Sequence, residues 1–353
     1  MRRRRSDARR SRRRAVLTRS PRPARPARPT LTALTALAAL AALCGFPGVA
    51  RSQGGLSREG ALFLLVPIGA RAVGLGQAVV AAEPGSEGVW WNPASLARLD
   101  RKEVGINHSQ TLVAGGTALE LVVPAGAAGV LSGALFYLDY GRQENTDPNG
   151  TTIGQSNPSS LVLAATYAAT LGPRVRAGVT YKFLQDRVAC SGDCSGVASY
   201  SASSSAFDFG VQAVTDRARR LTVGVALRSV GFRFQVNDEE QADALPVRVH
   251  VGARYVVPSV DRVVTGGALH VSAELVDRPA FDNPSVRGGG EFAYREQLFL
   301  RAGYATGSGD LAGAAVGLGV QRGGVSMDLA RVFGGFSADL GTPPTHVTLR
   351  FRF

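Results

Sequence analysis

The chain has 353 residues and a formal net charge of +13, a length that holds one large barrel or two ordinary domains. The charge is concentrated at one end: residues 1–30 hold thirteen arginines and one acid, residues 31–50 hold no charge, and the remainder carries 27 basic and 26 acidic side chains. The body is therefore close to neutral, and it lacks the electrostatic footprint of a nucleic-acid-binding protein.

Residues 1–50 read as a leader. A basic region runs to Arg28, the apolar run Leu31 to Cys44 follows, and the chain breaks at Gly45-Phe46-Pro47. Gly48 and Ala50 then stand at the spacing a signal peptidase prefers. The alternative is a basic arm followed by one membrane helix, but the apolar run is short of the ~20 residues a span requires.

Past the leader, Leu62 to Ile68 is a short apolar run. It leads into Gly69-Ala-Arg-Ala-Val-Gly-Leu-Gly-Gln-Ala78, which contains Arg71, Gly74 and Gly76. The paired glycines suggest a dinucleotide-binding loop. The third glycine is missing, and no alternation of strand and helix follows, so that reading fails. In Glu87-Gly-Val-Trp-Trp-Asn-Pro-Ala-Ser-Leu-Ala97, Asn92 supplies a side-chain cap and Pro93 a fixed first turn. The pair predicts a brief helix from Pro93 to about Leu99.

From Glu103 onward, segments with a period of two follow one another. Val175, Ala177, Val179, Tyr181 and Phe183 oppose Arg174, Arg176, Gly178, Thr180 and Lys182. Phe207, Phe209, Val211 and Ala213 oppose Asp208, Gly210 and Gln212. Val247, Val249, Val251, Ala253 and Tyr255 oppose Arg248, His250, Gly252 and Arg254. Leu298, Leu300, Ala302 and Tyr304 oppose Phe299, Arg301 and Gly303, and Glu291 stands in the segment before them. The last stretch sets Val347, Leu349, Phe351 and Phe353 against Thr348, Arg350 and Arg352.

About fourteen such segments are expected between residue 103 and the end, most reaching the ~9–11 residues a tilted strand needs to cross a bilayer. The connections after the first hairpin are long at 141–158, 185–202, 232–244 and 335–343, and intermediate at 277–286 and 306–311. Those between them, such as 125–127, 171–173 and 215–218, are short. Alternating long and short connections are the asymmetry of an outer-membrane barrel. The reading is thus all-β: a transmembrane antiparallel β-barrel with its apolar face toward outer-membrane lipid. Its expected lumen-facing polar residues are Arg174, Arg176, Lys182, Asp208, Arg248, Arg254, Glu291, Arg301 and Arg350. An even strand count places both termini in the periplasm. A soluble sandwich also alternates, but its polar face meets bulk water and has no need of so much glycine and arginine.

Cys190 and Cys194 sit close together in a polar Ser/Gly stretch. Secretion favours a small loop disulfide there, with two free thiols as the alternative, and no His or further Cys lies near enough to complete a metal site.

Two motifs carry a family resemblance, the glycine-rich stretch at 69–78 and Trp91-Asn-Pro-Ala-Ser-Leu-Ala97. They resemble the opening of PorV/PorQ-type outer-membrane proteins and, more distantly, of FadL-type channels for hydrophobic molecules. Leu245-Pro-Val-Arg248 leading to Gly252-Ala-Arg-Tyr255 fits the same pattern, as does Arg287-Gly-Gly-Gly-Glu291 leading to Leu300-Arg-Ala-Gly-Tyr304. Ser95 stands where the family usually has glycine after Asn-Pro-Ala, and the Trp90-Trp91 pair is uncommon there. The resemblance implies an amino-terminal plug over 51–100, with Arg71, Gly74, Gly76, Asn92 and Pro93 as its motif, and a barrel over 101–353. It further implies a part in type IX-like protein secretion, with secreted cargo or the translocon met through external loops. The FadL-type alternative is passage of hydrophobic small molecules. The terminal Phe353 resembles the aromatic end that such barrels present to the barrel-assembly machinery.

Nothing in the sequence assembles a catalytic group. His108, His250, His270 and His346 are far apart, and none sits in a triad arrangement. Asp147, Asn149 and Asn157 lack the spacing and terminal glutamate of a dedicated calcium loop. No enzyme activity, metal or cofactor is expected.

Overall fold

A strand whose side chains alternate between apolar and polar must find hydrocarbon for one face and partners for the other, and closure into a ring supplies both without leaving an edge. A computed structural model describes residues 59–194, 199–235, 242–307 and 312–353; the leader at 1–50 lies outside the described residues. The strands are β1 (Glu103–Gln110), β2 (Gly115–Pro124), β3 (Val130–Asp139), β4 (Gln143–Thr146), β5 (Thr152–Thr170), β6 (Val175–Gly192), β7 (Tyr200–Val214) and β8 (Leu221–Gly231). They continue as β9 (Arg248–Val257), β10 (Gly267–Asp277), β11 (Ser285–Tyr294), β12 (Leu298–Ala305), β13 (Gly313–Arg322), β14 (Val325–Val332) and β15 (Thr345–Arg352).

Sequence neighbours pair antiparallel around the ring, β1 pairs with β15, and β3 pairs with β5 to close it. The short β4 lies beyond the end of β3 against the same strand β5, so fourteen strands form the wall. The outward residues are the apolar ones of the sequence pattern. Leu119, Leu121, Leu163, Phe209, Leu300, Leu318 and Met327 are all exposed, a surface far too apolar for water and suited to lipid.

One expectation is corrected in shape. The connections predicted at 141–158 and 185–202 are largely strand: β5, β6 and β7 run to 19, 18 and 15 residues and carry the wall well beyond the others. At ~3.3 Å per residue, β5 and β6 far exceed the ~30 Å hydrocarbon thickness. Their overrunning portions are Ser-, Thr- and Gln-rich. Above the bilayer the outward face need not be apolar, so backbone pairing continues where the sequence alternation stops.

The expectation that both termini share one side involves an amino terminus that lies outside the described residues. The short turns cluster at one end of the barrel, where the Phe353 amide donates to the Lys102 carbonyl at 3.0 Å. The first described residues lie at the opposite end. Glu59 bridges to Ala244 and pairs with Arg248, at the start of β9, at 2.7 Å. Only the strand region begins and ends on one side. The segment 59–102 descends through the interior, because its small residues fit a space that the strands' inward glycines leave open.

Candidate functional site

The interior is built around that descending segment. Ala70–Gly74 forms one helical turn whose residues Ala70, Ala72, Val73 and Gly74 are buried. Small side chains let it lie on the inner faces of β12–β15: a Cβ at Gly74 would stand 3.0 Å from the Gly317 Cα. Gly76 has φ +60° and passes over β11 and β12, where a Cβ would overlap the Tyr304 amide nitrogen. Gly289 and Gly303 are the matching gaps in the wall, both filled by the Leu75–Gly76 backbone.

Asn92 and Pro93 begin a 3-10 turn over Pro93–Arg98, with the Ala94 amide donating to Asn92 Oδ1 at 3.1 Å. Asn92 Nδ2 also donates to the Val80 carbonyl at 2.7 Å. Gly178 and Gly210 lie beneath this turn, where a side chain would displace Pro93 or Asn92.

Most of the polar interior is an alternating ladder of charge. Arg71 Nε and Nη2 donate to the Glu291 carboxylate at 3.0 and 2.9 Å. Arg301 donates Nε to Glu291 and Nη1 to Asp328, both at 2.6 Å. Arg350 pairs with the other Asp328 oxygen and donates Nη1 to the Pro84 carbonyl at 2.6 Å. Each carboxylate lies between guanidiniums, which offsets the cost of removing both from water.

A second group sits across the lumen. Lys182 pairs with Asp208 at 2.5 Å with both side chains almost fully buried. His250 Nδ1 lies 2.7 Å from Glu274 Oε1, and Glu274 Oε2 accepts from the Val80 amide at 2.8 Å. Trp90 Nε1 donates to Glu120 at 2.6 Å and Trp91 Nε1 to the Ile68 carbonyl at 2.9 Å. Trp90 thus ties the segment to the wall, and Trp91 ties two parts of the segment to each other.

The structure buries Arg176, Lys182, Asp208, Glu291, Arg301 and Arg350 inside the barrel and leaves Arg248 and Arg254 partly buried. Arg174 is different: it is exposed in the turn ahead of β6, at the short-turn rim, because the strand begins one residue later. Cys190 and Cys194 are joined in a disulfide at the far end of β6.

Sequence reasoning missed Glu120, Glu274 and Asp328, which anchor these networks. A signal existed for each: a single acid flanked by apolar neighbours within a strand, as in Leu119-Glu120-Leu121 and Met327-Asp328-Leu329. In a barrel wall, that position has to face inward.

Three carboxylates of the inner segment differ in protonation. Burial pushes Glu87 up to about 7, against the pull of Arg350 Nη1 at 3.5 Å. Burial also opposes ionisation of Glu83, but Arg98, Arg176 and Arg254 outweigh it and hold the carboxyl below its usual range. The Arg248 hydrogen bond does the same for Glu59.

Two cavities bear on function. One, of about 230 Å³, lies at the long-connection end and is lined mainly by apolar residues, including Leu62, Phe63, Val66, Leu138 and Tyr140, with His346 beside them. The other, of about 320 Å³, lies at the short-turn end and is lined largely by arginines. Among the described residues, no group of three or more His, Cys, Asp or Glu side chains converges as a metal site.

The fold is shared with solved outer-membrane proteins. The toluene transporter TbuX of Ralstonia pickettii superposes with a TM-score of 0.54 at 12% identity, covering 81% of this chain and 98% of that one. The toluene transporter TodX of P. putida gives the same values. The monoaromatic hydrocarbon channel CymD gives 0.54 at 13% identity, with 82% and 98% covered. At such identity the likeness is one of fold. No curated protein matches the chain by sequence. Residues 55–280 match the family described as Type IX secretion system protein PorV, which covers well over half of the chain, and this outer-membrane barrel belongs to that family.

Proposed function

We propose that the protein is a non-enzymatic component of a type IX-like secretion pathway. In this reading it receives secreted cargo or docks on the translocon through its long-connection end, which faces outward, while Lys102 and Phe353 lie in the periplasm. Phe353 would be read there by the barrel-assembly machinery. The observation that carries the reading is the interior. The ladder from Arg71 through Glu291, Arg301 and Asp328 to Arg350 fills the middle of the lumen with paired charge, which suits a scaffold better than a path for hydrophobic solutes. The wall raised by β5–β7 supplies a rigid rim for contact. Deleting the gene should abolish surface display of cargo bearing the pathway's carboxy-terminal sorting domain. Trimming the β4–β5 hairpin should reduce display several-fold while the barrel still assembles. Unchanged display after gene deletion overturns the proposal.

A second reading, passage of a hydrophobic small molecule, is favoured by one feature: the apolar cavity around Leu62, Phe63 and Leu138. Uptake of a labelled fatty acid by liposomes containing the protein, above that of empty liposomes, would establish it.

A further inference from the structure

The cavity at the short-turn end gathers more cations than anions. Its walls carry Arg98, Arg174, Arg176, Arg219 and Arg254 with a single carboxylate, Glu83. These residues converge from separate elements. Arg98 ends the 3-10 turn, Arg176 projects inward from β6 and Arg254 from β9, and Arg174 and Arg219 come from the turns before β6 and β8. The hydroxyl-bearing Thr170 and Thr222 complete the polar lining, with Val214 and Val256 between them.

Higher in the lumen, most guanidiniums and ammonium groups are matched to carboxylates, as in Lys182 with Asp208 and Arg301 with Glu291 and Asp328, while Arg287 and Arg228 are less closely matched. In the basin the match fails. Glu83 is held by Arg176 at 3.0 Å and Arg98 at 3.2 Å. Arg254 is electrostatically coupled to the same carboxylate. Arg174, Arg219 and Arg254 have no salt-bridge partner among the described residues. Five cations around one anion leave four positive charges uncompensated; Arg98, Arg174 and Arg219 are exposed at the mouth, whereas Arg176 and Arg254 lie deeper, where solvent screens less.

The guanidinium fork matches a phosphate in geometry as well as charge. A phosphate group carries roughly −1.5 to −2 at neutral pH, so two such groups offset the excess, whereas a lone carboxylate does not. The cavity is also large enough to admit a small molecule. Its lining side chains face the lumen and the aqueous end rather than the lipid side.

We propose that this basin is a binding site for a small soluble molecule bearing two or more phosphate groups, with Glu83 standing in for part of the ligand when the site is empty. The inference is independent of the secretion role and of which side of the membrane the basin faces.

The test titrates inorganic pyrophosphate, and orthophosphate in parallel, into the full-length barrel in detergent at low ionic strength, read by calorimetry. Pyrophosphate should bind saturably at one per barrel, tighter than orthophosphate, and weaken as salt rises. Arg219→Gln and Arg254→Gln should each weaken it by roughly tenfold, the equivalent of one charge-assisted hydrogen bond. Arg262→Gln, an exposed arginine at the same end but outside the cavity, should leave it unchanged. Glu83→Gln should tighten binding, since it removes the internal competitor. Arg219 lies on an exposed turn with no side-chain bond to lose, so its variant stays informative if Glu83→Gln or Arg254→Gln fails to fold. Absence of saturable binding overturns the proposal, as does equal weakening by Arg262→Gln and Arg219→Gln. Undiminished binding in nanodiscs containing phosphatidylglycerol supports a soluble ligand, and loss of binding there overturns that assignment in favour of a lipid phosphate.

Discussion

Glu87 illustrates how much one side chain's setting decides. Its Oε2 accepts from the Ala72 amide at 3.2 Å, while Oε1 lies 3.5 Å from Arg350 and is buried without a hydrogen bond. Burial raises its pKa from the ordinary 4.5 to about 7. A carboxyl whose folded pKa is raised is better tolerated when protonated. Its contribution to stability is therefore fully present below about 4.5 and is lost as pH rises through about 7. Thermal unfolding of the barrel in detergent should accordingly show a midpoint that falls between pH 5 and pH 8. Glu87→Gln should remove a part of that fall on the order of 1–3 kcal/mol. A slope identical in the variant would place the titration elsewhere. Glu59 and Glu83 act with the opposite sign: their lowered pKa values add stability above about 4.5 that disappears as pH falls.

Among elements, the inner segment and the wall fit by subtraction. Gly289 and Gly303 leave room on β11 and β12 for the Leu75–Gly76 backbone, and Gly178 and Gly210 leave it on β6 and β7 for the Asn92–Pro93 turn. A side chain at Gly303 must displace backbone, which cannot swing aside as a flexible side chain can. Strand pairing on either side of Gly303 does not depend on the segment. Gly303→Val should therefore still give a heat-modifiable barrel on gels, while limited proteolysis within 59–100 accelerates several-fold as the segment leaves its seat. Wild-type cleavage kinetics in the variant would mean the contact is slack. The strands themselves were readable at bilayer height, where lipid forces strict alternation. They became unreadable past residue 184 in β6 and before residues 159 in β5 and 203 in β7, because water accepts polar side chains on the outward face.

For the molecule as a whole, the filled interior sets the expected behaviour in a membrane. With the ion-pair ladder across the middle and the inner segment threaded through it, the intact protein in planar bilayers should show no steady open conductance. A variant lacking residues 59–98 should conduct if it assembles. Steady porin-like conductance of the intact chain would contradict the packing described for Arg71, Arg301 and Arg350. From the sequence alone came the fourteen crossings, the lipid-facing residues, the capped turn at Asn92-Pro93 and the inward placement of most of the arginines. All of these follow from local rules, the period of two and the chemistry of a helix start. Tertiary structure alone decided which carboxylate meets which guanidinium, as with Arg71 and Glu291, 220 residues apart in sequence. It also decided that Arg174 lies at the rim, and that the described chain starts at the end opposite Phe353. Those outcomes depend on strand stagger and on the path of the inner segment, neither of which a strand's own residues specify.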